Sequence, residues 1–196
     1  MLHRLPHQHR LNLQAAPARQ GGRQRTAVSP QARRWLTAPG SLTARLRQLG
    51  AVRVQVLRQG HQRLWPQEQR AIRSRCGHVR EVLLWVDQTP AVWARSVTSP
   101  QALKGPWRAL KGLGTRPLAE LLFEHRGVVR DALRHQRFAA HGPHMAHLQR
   151  AWHRATQVQA EAPHWARRST FRHRGHPLQV MECFAPWVLR SHTPTP

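Results

Sequence analysis

Residues 79-VREVLLWVDQTPAVWARSV-97 open the densest apolar region of a chain otherwise crowded with arginine. Val79 to Val86 alternate with a period of two. Arg80, Val82, Leu84 and Val86 fall on one face, and Val79, Glu81, Leu83 and Trp85 on the other. Asp87-Gln88-Thr89-Pro90 reads as a four-residue turn, and Ala91 to Thr98 as the returning antiparallel strand. A hairpin this apolar belongs in the middle of a sheet, and the rest of the chain reads as its flanks and covers.

On the N-terminal side, Val52, Val54 and Val56 alternate with Arg53 and Gln55 as a strand buried on one face. Before it, Ser41 is placed to cap a helix over Leu42 to Leu49, with Gly50 as its stop. Ala32 to Leu36 has room for one or two helical turns, and Pro66 opens a short helix to about Arg73. On the C-terminal side, a connector over Pro100 to Leu110 enters a short helix at Pro106, which Gly112 and Gly114 break. Pro117 then starts the helix LAELLF. Trp165 to Arg174 and Pro177 to Pro186 read as a last hairpin that turns at Gly175-His176. Five strand candidates, hairpin connections and intervening helices make an α+β fold on an antiparallel sheet, expected as one domain over residues 31–190. Nothing reads as a βαβ unit, a phosphate-cradling glycine loop or a GxSxG elbow, so nucleotide and serine-hydrolase chemistry find no support.

The charge is the other conspicuous feature. The 196 residues carry a formal net charge of +24, with 32 basic and 8 acidic residues. Such a balance raises nucleic-acid or anionic-membrane binding. The basic residues are dispersed, however, with no run longer than two, and only Lys104 and Lys111 are lysines. A nucleic-acid arm shows a block or a stripe, so a solvated basic surface and a GC-rich coding bias account for the charge, and no specific nucleic acid is expected. No apolar run reaches the length of a membrane span. Residues 1–30 lack the apolar core of a secretory signal and any sustained period. They read as a disordered or loosely attached leader, with the absence of an acid before Glu68 its one likeness to a transit peptide. The expected location is the cytoplasm. Cys76 and Cys183 fit two buried reduced thiols.

Residues 124–163 change character. Six histidines appear there, and Gly142-Pro143 interrupts any helix. His141, His144 and His147 recur every three residues, but with Pro143 inside the spacing and no nearby acid they fall short of a metal site. The stretch reads as a polar surface insertion carrying one amphipathic helix, Met145 to Val158.

Glu182 is the most informative single residue. It lies between Val180 and Phe184 on the apolar face of the last strand. Either it pairs with one of the many arginines, or it is a desolvated acid of raised pKa suited to proton transfer.

Four ordered segments resemble the bacterial chorismate pyruvate-lyase family. GSLTARLRQLG with VRVQVLRQG is similar to the family's first helix and strand, and VREVLLWVDQTPAVWARSV to its central hairpin. GPWRALKGLGTRPLAELLF is similar to the helical segment that follows, and WARRSTFRHRGHPLQVMECFAP to the terminal hairpin. The resemblance implies a six-stranded antiparallel sheet with helices covering an enclosed ligand site. It implies conversion of chorismate to 4-hydroxybenzoate and pyruvate for ubiquinone; since ring formation supplies most of the driving force no cofactor is expected, and the expected state is a monomer. It puts the carboxylate anchor at Arg80, a backbone contact at Leu118, the acid at Glu182 and an apolar contact at Leu42, where the family has methionine. Arg80 and Glu182 are the expected catalytic pair. Arg95, on the partner strand, is expected either as a second basic group at the substrate or in a salt bridge across the sheet. The chain departs from the family in its long His-rich segment, its charge, His164, Met181 and Cys183. Two other functions remain to be weighed: a non-catalytic aromatic-acid-binding domain of the same fold, and a basic nucleic-acid binder.

Overall fold

The computed structural model describes residues 28–124, 127–139, 141–160 and 165–192. Most of the expected leader, with His3, His7 and His9, lies outside the described residues. Helix α1 (Pro30–Thr37) starts where Ser29 accepts a hydrogen bond from the Ala32 amide, and Pro30 occupies the first turn, where its missing N–H costs nothing. Ser41 caps α2 (Leu42–Leu46) in the same way through the Ala44 amide.

The strands are β1 (Val52–Arg63), β2 (Cys76–Val86), β3 (Thr89–Thr98), β4 (Val128–Arg130), β5 (Arg134–Arg137), β6 (Trp165–His173) and β7 (His176–Phe184). Among the described residues they form one antiparallel sheet in the order β1-β2-β3-β7-β6-β4, with β5 also paired to β6. The sheet is therefore six positions wide, as expected. The seventh strand arises because β4 and β5 share one edge of β6, β4 opposite Phe171–His173 and β5 opposite Trp165–Arg168. Both come from the stretch read as a polar insertion. That stretch also supplies α6 (Pro143–Thr156), whose Met145, Leu148 and Trp152 are buried on one stripe.

The remaining helices are α3 (Pro66–Ile72), α4 (Pro100–Lys104), α5 (Leu118–Glu124) and α7 (Pro186–Arg190), with a 3-10 segment at Arg108–Gly112. The connector thus becomes helical at Pro100, capped by Ser99, rather than at Pro106. The two faces of the sheet differ in their cover. Leu178, Val180 and Phe171 pack beneath α4, the 3-10 segment and α5, through Ala102, Trp107, Leu110, Leu121 and Leu122. On the opposite face Val79 and Val97 meet Leu64 and Ile72, and α6 packs against β3.

The central hairpin turns more tightly than expected. Val86 pairs with Thr89, so only Asp87 and Gln88 form the turn, and the ladder slips by one residue between Leu84 and Trp85. Asp87 takes a positive φ of 52°, a conformation its short polar side chain tolerates, and its carboxylate accepts from the Ala51 amide at 2.9 Å. Gly77 is required by space: a Cβ there would lie 2.4 Å from the Thr98 carbonyl oxygen. Cys76 and Cys183 are both free thiols; Cys183 is buried and Cys76 only partly so.

Candidate active site

On the face carrying Arg80, the pleat and the register bring separate strands into common rows. Arg80, Ser96, Val180 and Ser169 form one row across β2, β3, β7 and β6; Val82, Ala94, Glu182 and Arg167 form the next. A cavity lies over these rows, with about 620 Å³ of unfilled space within it and at its mouth. Its floor includes Arg80, Val82, Ala94, Ser96, Val180 and Glu182, its walls Leu42, Thr43, Leu118 and Leu122, and its far side Arg130, Arg167 and Phe171. Four of the five expected site residues, Leu42, Arg80, Leu118 and Glu182, therefore meet in one place.

Arg80 is 2% exposed. Its Nη2 donates to the Gly114 and Arg116 carbonyls at 2.9 and 3.1 Å, tying the loop before α5 to the sheet. Its Nε is buried with no hydrogen-bond partner among the described residues. Burial pushes the guanidinium pKa down to about 10, so the group stays charged at neutral pH in a dry setting.

Glu182 is a paired acid rather than an isolated one. Its Oε2 accepts from Arg167 Nε at 2.6 Å, because the hairpin register sets the two directly opposite. Arg167, 1% exposed, also donates through Nη1 to the Trp35 and Ala38 carbonyls. Glu182 is the one acidic side chain lining the cavity among the described residues.

Arg130 and Arg167 were not singled out from the sequence as site residues. Arg130 lies on β4, donates twice to Ser169 Oγ (3.0 and 2.6 Å), and sits over the Phe171 ring at 5.3 Å. Burial, then the charge of Arg167, lower its pKa, and Glu182 opposes them. The segment joining α1 to α2 is held by arginines at three successive carbonyls: Arg167 at Ala38, Arg45 at Pro39 and Arg130 at Gly40. Gly40 adopts φ +73° in that segment, where a larger residue would be strained.

Arg95 is a correction. It does not reach the cavity; the slipped ladder places it opposite Glu81, on the other face. There it donates to Glu68 through Nε and Nη2 (2.7 and 3.0 Å) and to Glu81 through Nη1. His147 from α6 meets Glu81 at 2.9 Å, and His144 stacks on Trp65 with ring centres 4.0 Å apart. Two of the regularly spaced histidines thus fasten α6, His147 to β2 and His144 to Trp65 at the start of α3. Burial alone would raise the Glu81 pKa, but the hydrogen bond and charge of His147, followed by those of Arg95, hold it below its ordinary 4.5. A depressed carboxylate adds stability above that ordinary value and loses it as pH falls through the folded one. Glu81→Gln is therefore expected to cost about 3–5 kcal/mol near neutral pH, and less below about pH 4. Urea unfolding of both proteins across that range checks it; a constant difference would remove Glu81 ionisation from the stability balance.

Comparison with known proteins follows the same lines. The family model for chorismate lyase matches residues 18–191. A protein of Albidiferax ferrireducens named "Probable chorismate pyruvate-lyase" is 45% identical over 164 residues, 79% of this chain and 83% of that one. One of the same name from Bordetella avium is 39% identical over 169 residues, 85% of this chain and 82% of that one. Among solved structures, the effector domain of PhnF from Mycobacterium smegmatis superposes with a TM-score of 0.51 at 11% identity, over 75% of this chain and 89% of that one. That likeness concerns the fold alone. With a family model spanning most of its length and relatives this similar, the chain belongs to the chorismate lyase family.

Proposed function

We propose that this protein cleaves chorismate to 4-hydroxybenzoate and pyruvate, as the first committed step of ubiquinone biosynthesis, acting as a monomer in the cytoplasm. The observation that carries the reading is the meeting of Arg80 and Glu182 in one cavity, with a buried Arg80 Nε that has no acceptor among the described residues. A guanidinium in a dry site is a strong carboxylate anchor. Arg80 takes the ring carboxylate, Leu118 offers its backbone at the start of α5, and Leu42 supplies an apolar wall.

The reaction is an elimination. The ether bond between ring and enolpyruvyl group breaks, the ring loses a proton and becomes aromatic, and the enolpyruvyl fragment gains one to leave as pyruvate. Aromatisation supplies most of the driving force, so the protein's work is to hold the reactive conformer, exclude water and assist proton movement. Glu182 carries that last role toward the departing enolpyruvyl group, held in place by Arg167. The four wall residues Leu42, Thr43, Leu118 and Leu122 come from helices that cover the sheet and keep the site dry.

The purified protein incubated with chorismate is expected to form 4-hydroxybenzoate and pyruvate in equal amounts, with the rate unchanged by a chelator such as EDTA. Turnover abolished by the chelator and restored by a metal would contradict the cofactor-free part of the reading. Tight 4-hydroxybenzoate binding with no turnover would instead indicate a non-catalytic binding domain of the same fold.

A further inference from the structure

The charges around the cavity do not balance. Three guanidinium groups, Arg80, Arg130 and Arg167, face a single carboxylate, Glu182. Arg167 is committed to Glu182 by the 2.6 Å pair and to backbone carbonyls by its Nη1. Among the described residues, Arg80 and Arg130 have hydrogen bonds only to neutral groups: the Gly114 and Arg116 carbonyls for one, Ser169 Oγ and the Gly40 carbonyl for the other. Arg80 is buried and Arg130 half-buried; a cation drawn out of water without an anion is costly, and a bound anion removes that cost. Two such cations in one cavity call for two negative charges.

Their positions call for those charges at opposite ends of one molecule. Arg80 stands on β2, and Arg130 is held against Ser169 on β6, three strands away in the same row. Ordinary strand spacing puts those two backbone positions about 14 Å apart, and the arginine side chains project into the gap from both sides. Ser169 Oγ accepts two N–H groups from Arg130, so its own hydroxyl hydrogen remains to be donated. Arg130, held from behind by Ser169, is thus the cation at the end of the cavity that also carries Glu182.

We propose that Arg130, presented by Ser169, binds the second carboxylate of the substrate, the one on the enolpyruvyl group, and so makes the cavity selective for a dicarboxylate. This rests on chorismate as the substrate. Arg80 and Arg130 then hold the two ends of a dianion, with Glu182 beside the bond between them. After cleavage the aromatic product carries one carboxylate, held by Arg80, and the Arg130 end releases pyruvate. Arg130 is thus a specificity-determining residue that the product does not use.

The test compares two ligands on three proteins. Wild type, Arg130→Met and Arg130→Lys are assayed for chorismate KM and kcat, and for 4-hydroxybenzoate Kd by calorimetry, with Tm confirming folding. Arg130→Met is expected to raise the chorismate KM about 10–100-fold, as for loss of a hydrogen bond to a charged group, while shifting 4-hydroxybenzoate Kd less than about threefold. Arg130→Lys is expected to recover part of the loss. Ser169→Ala, which keeps the cation but removes its holder, should show a smaller effect with the same selectivity. Equal weakening of both ligands, or no change in either, overturns the proposal. If wild type binds chorismate without cleaving it, the catalytic reading fails, and chorismate Kd replaces KM with the same expectations for Arg130. If wild type binds neither compound, both readings fail.

Discussion

Glu182→Gln is expected to lower kcat on chorismate by about 10²–10⁴-fold, the usual contribution of a positioned general acid or base. Affinity for 4-hydroxybenzoate should change far less. Glutamine keeps the size of the side chain and an oxygen that can still accept from Arg167 Nε, so the 2.6 Å contact and the Arg167 bonds to the Trp35 and Ala38 carbonyls need not collapse. What it removes is the only carboxylate lining the cavity among the described residues. Single-turnover kinetics separate the chemical step from product release, and 4-hydroxybenzoate calorimetry reports on the intact cavity. Turnover at the wild-type rate in this variant would remove Glu182 from the mechanism.

Arg80→Met is expected to act on binding as well as on rate. Arg80 anchors the ring carboxylate in the proposed cycle, and it also fastens the Gly114 and Arg116 carbonyls that precede α5. Losing one partner of a buried charged pair costs about 3–5 kcal/mol, which corresponds to a fall of at least about 100-fold in kcat/KM and in 4-hydroxybenzoate affinity alike. The product therefore distinguishes the two arginines: it should lose affinity with Arg80→Met and keep it with Arg130→Met. The thermal readout is equally specific. Saturating 4-hydroxybenzoate should raise the Tm of the wild-type protein, since a ligand that binds only the folded state stabilises it, and should leave Arg80→Met nearly unmoved. A normal ligand-induced shift in that variant would show that Arg80 is not the anchor.

The half of the site that was legible in the sequence rests on strand periodicity. Arg80 shares a face with Val82 and Leu84, and Glu182 shares one with Val180, and the structure puts both faces against one cavity. Arg167 was within reach too. A two-residue turn at Arg174-Gly175, both with positive φ as hairpin turns favour, pairs His173 with His176 and hence Arg167 with Glu182. Reading the turn one residue later hid that pairing.

Arg95 failed for a subtler reason. A four-residue turn over 87–90 would pair Val86 with Ala91 and leave Arg95 on the Arg80 face. The actual two-residue turn alone would also put Arg95 beside Arg80. The slip between Leu84 and Trp85 adds one residue and moves Arg95 to the other face, opposite Glu81. A single-residue shift reverses every side chain beyond it, and nothing local in the sequence marks this one. Arg130 was illegible for a different reason: β4 is three residues long, too short to show a period, and exists as a strand through its pairing with β6. The His-rich stretch looked like surface because its polar residues outnumber its apolar ones. Met145, Leu148 and Trp152 nevertheless suffice to bury one stripe of α6, and His147 finds Glu81 on β2 while His144 stacks on Trp65 at the start of α3.

The most direct measurement is a single-turnover reaction with the protein in excess over chorismate, quenched at intervals and assayed separately for 4-hydroxybenzoate and pyruvate. The expected result is equimolar appearance of both in the wild-type protein and a slowing of at least about 100-fold in Glu182→Gln. Chorismate recovered unchanged from wild-type protein that is folded and binds 4-hydroxybenzoate would contradict the assignment of this cavity as a lyase site.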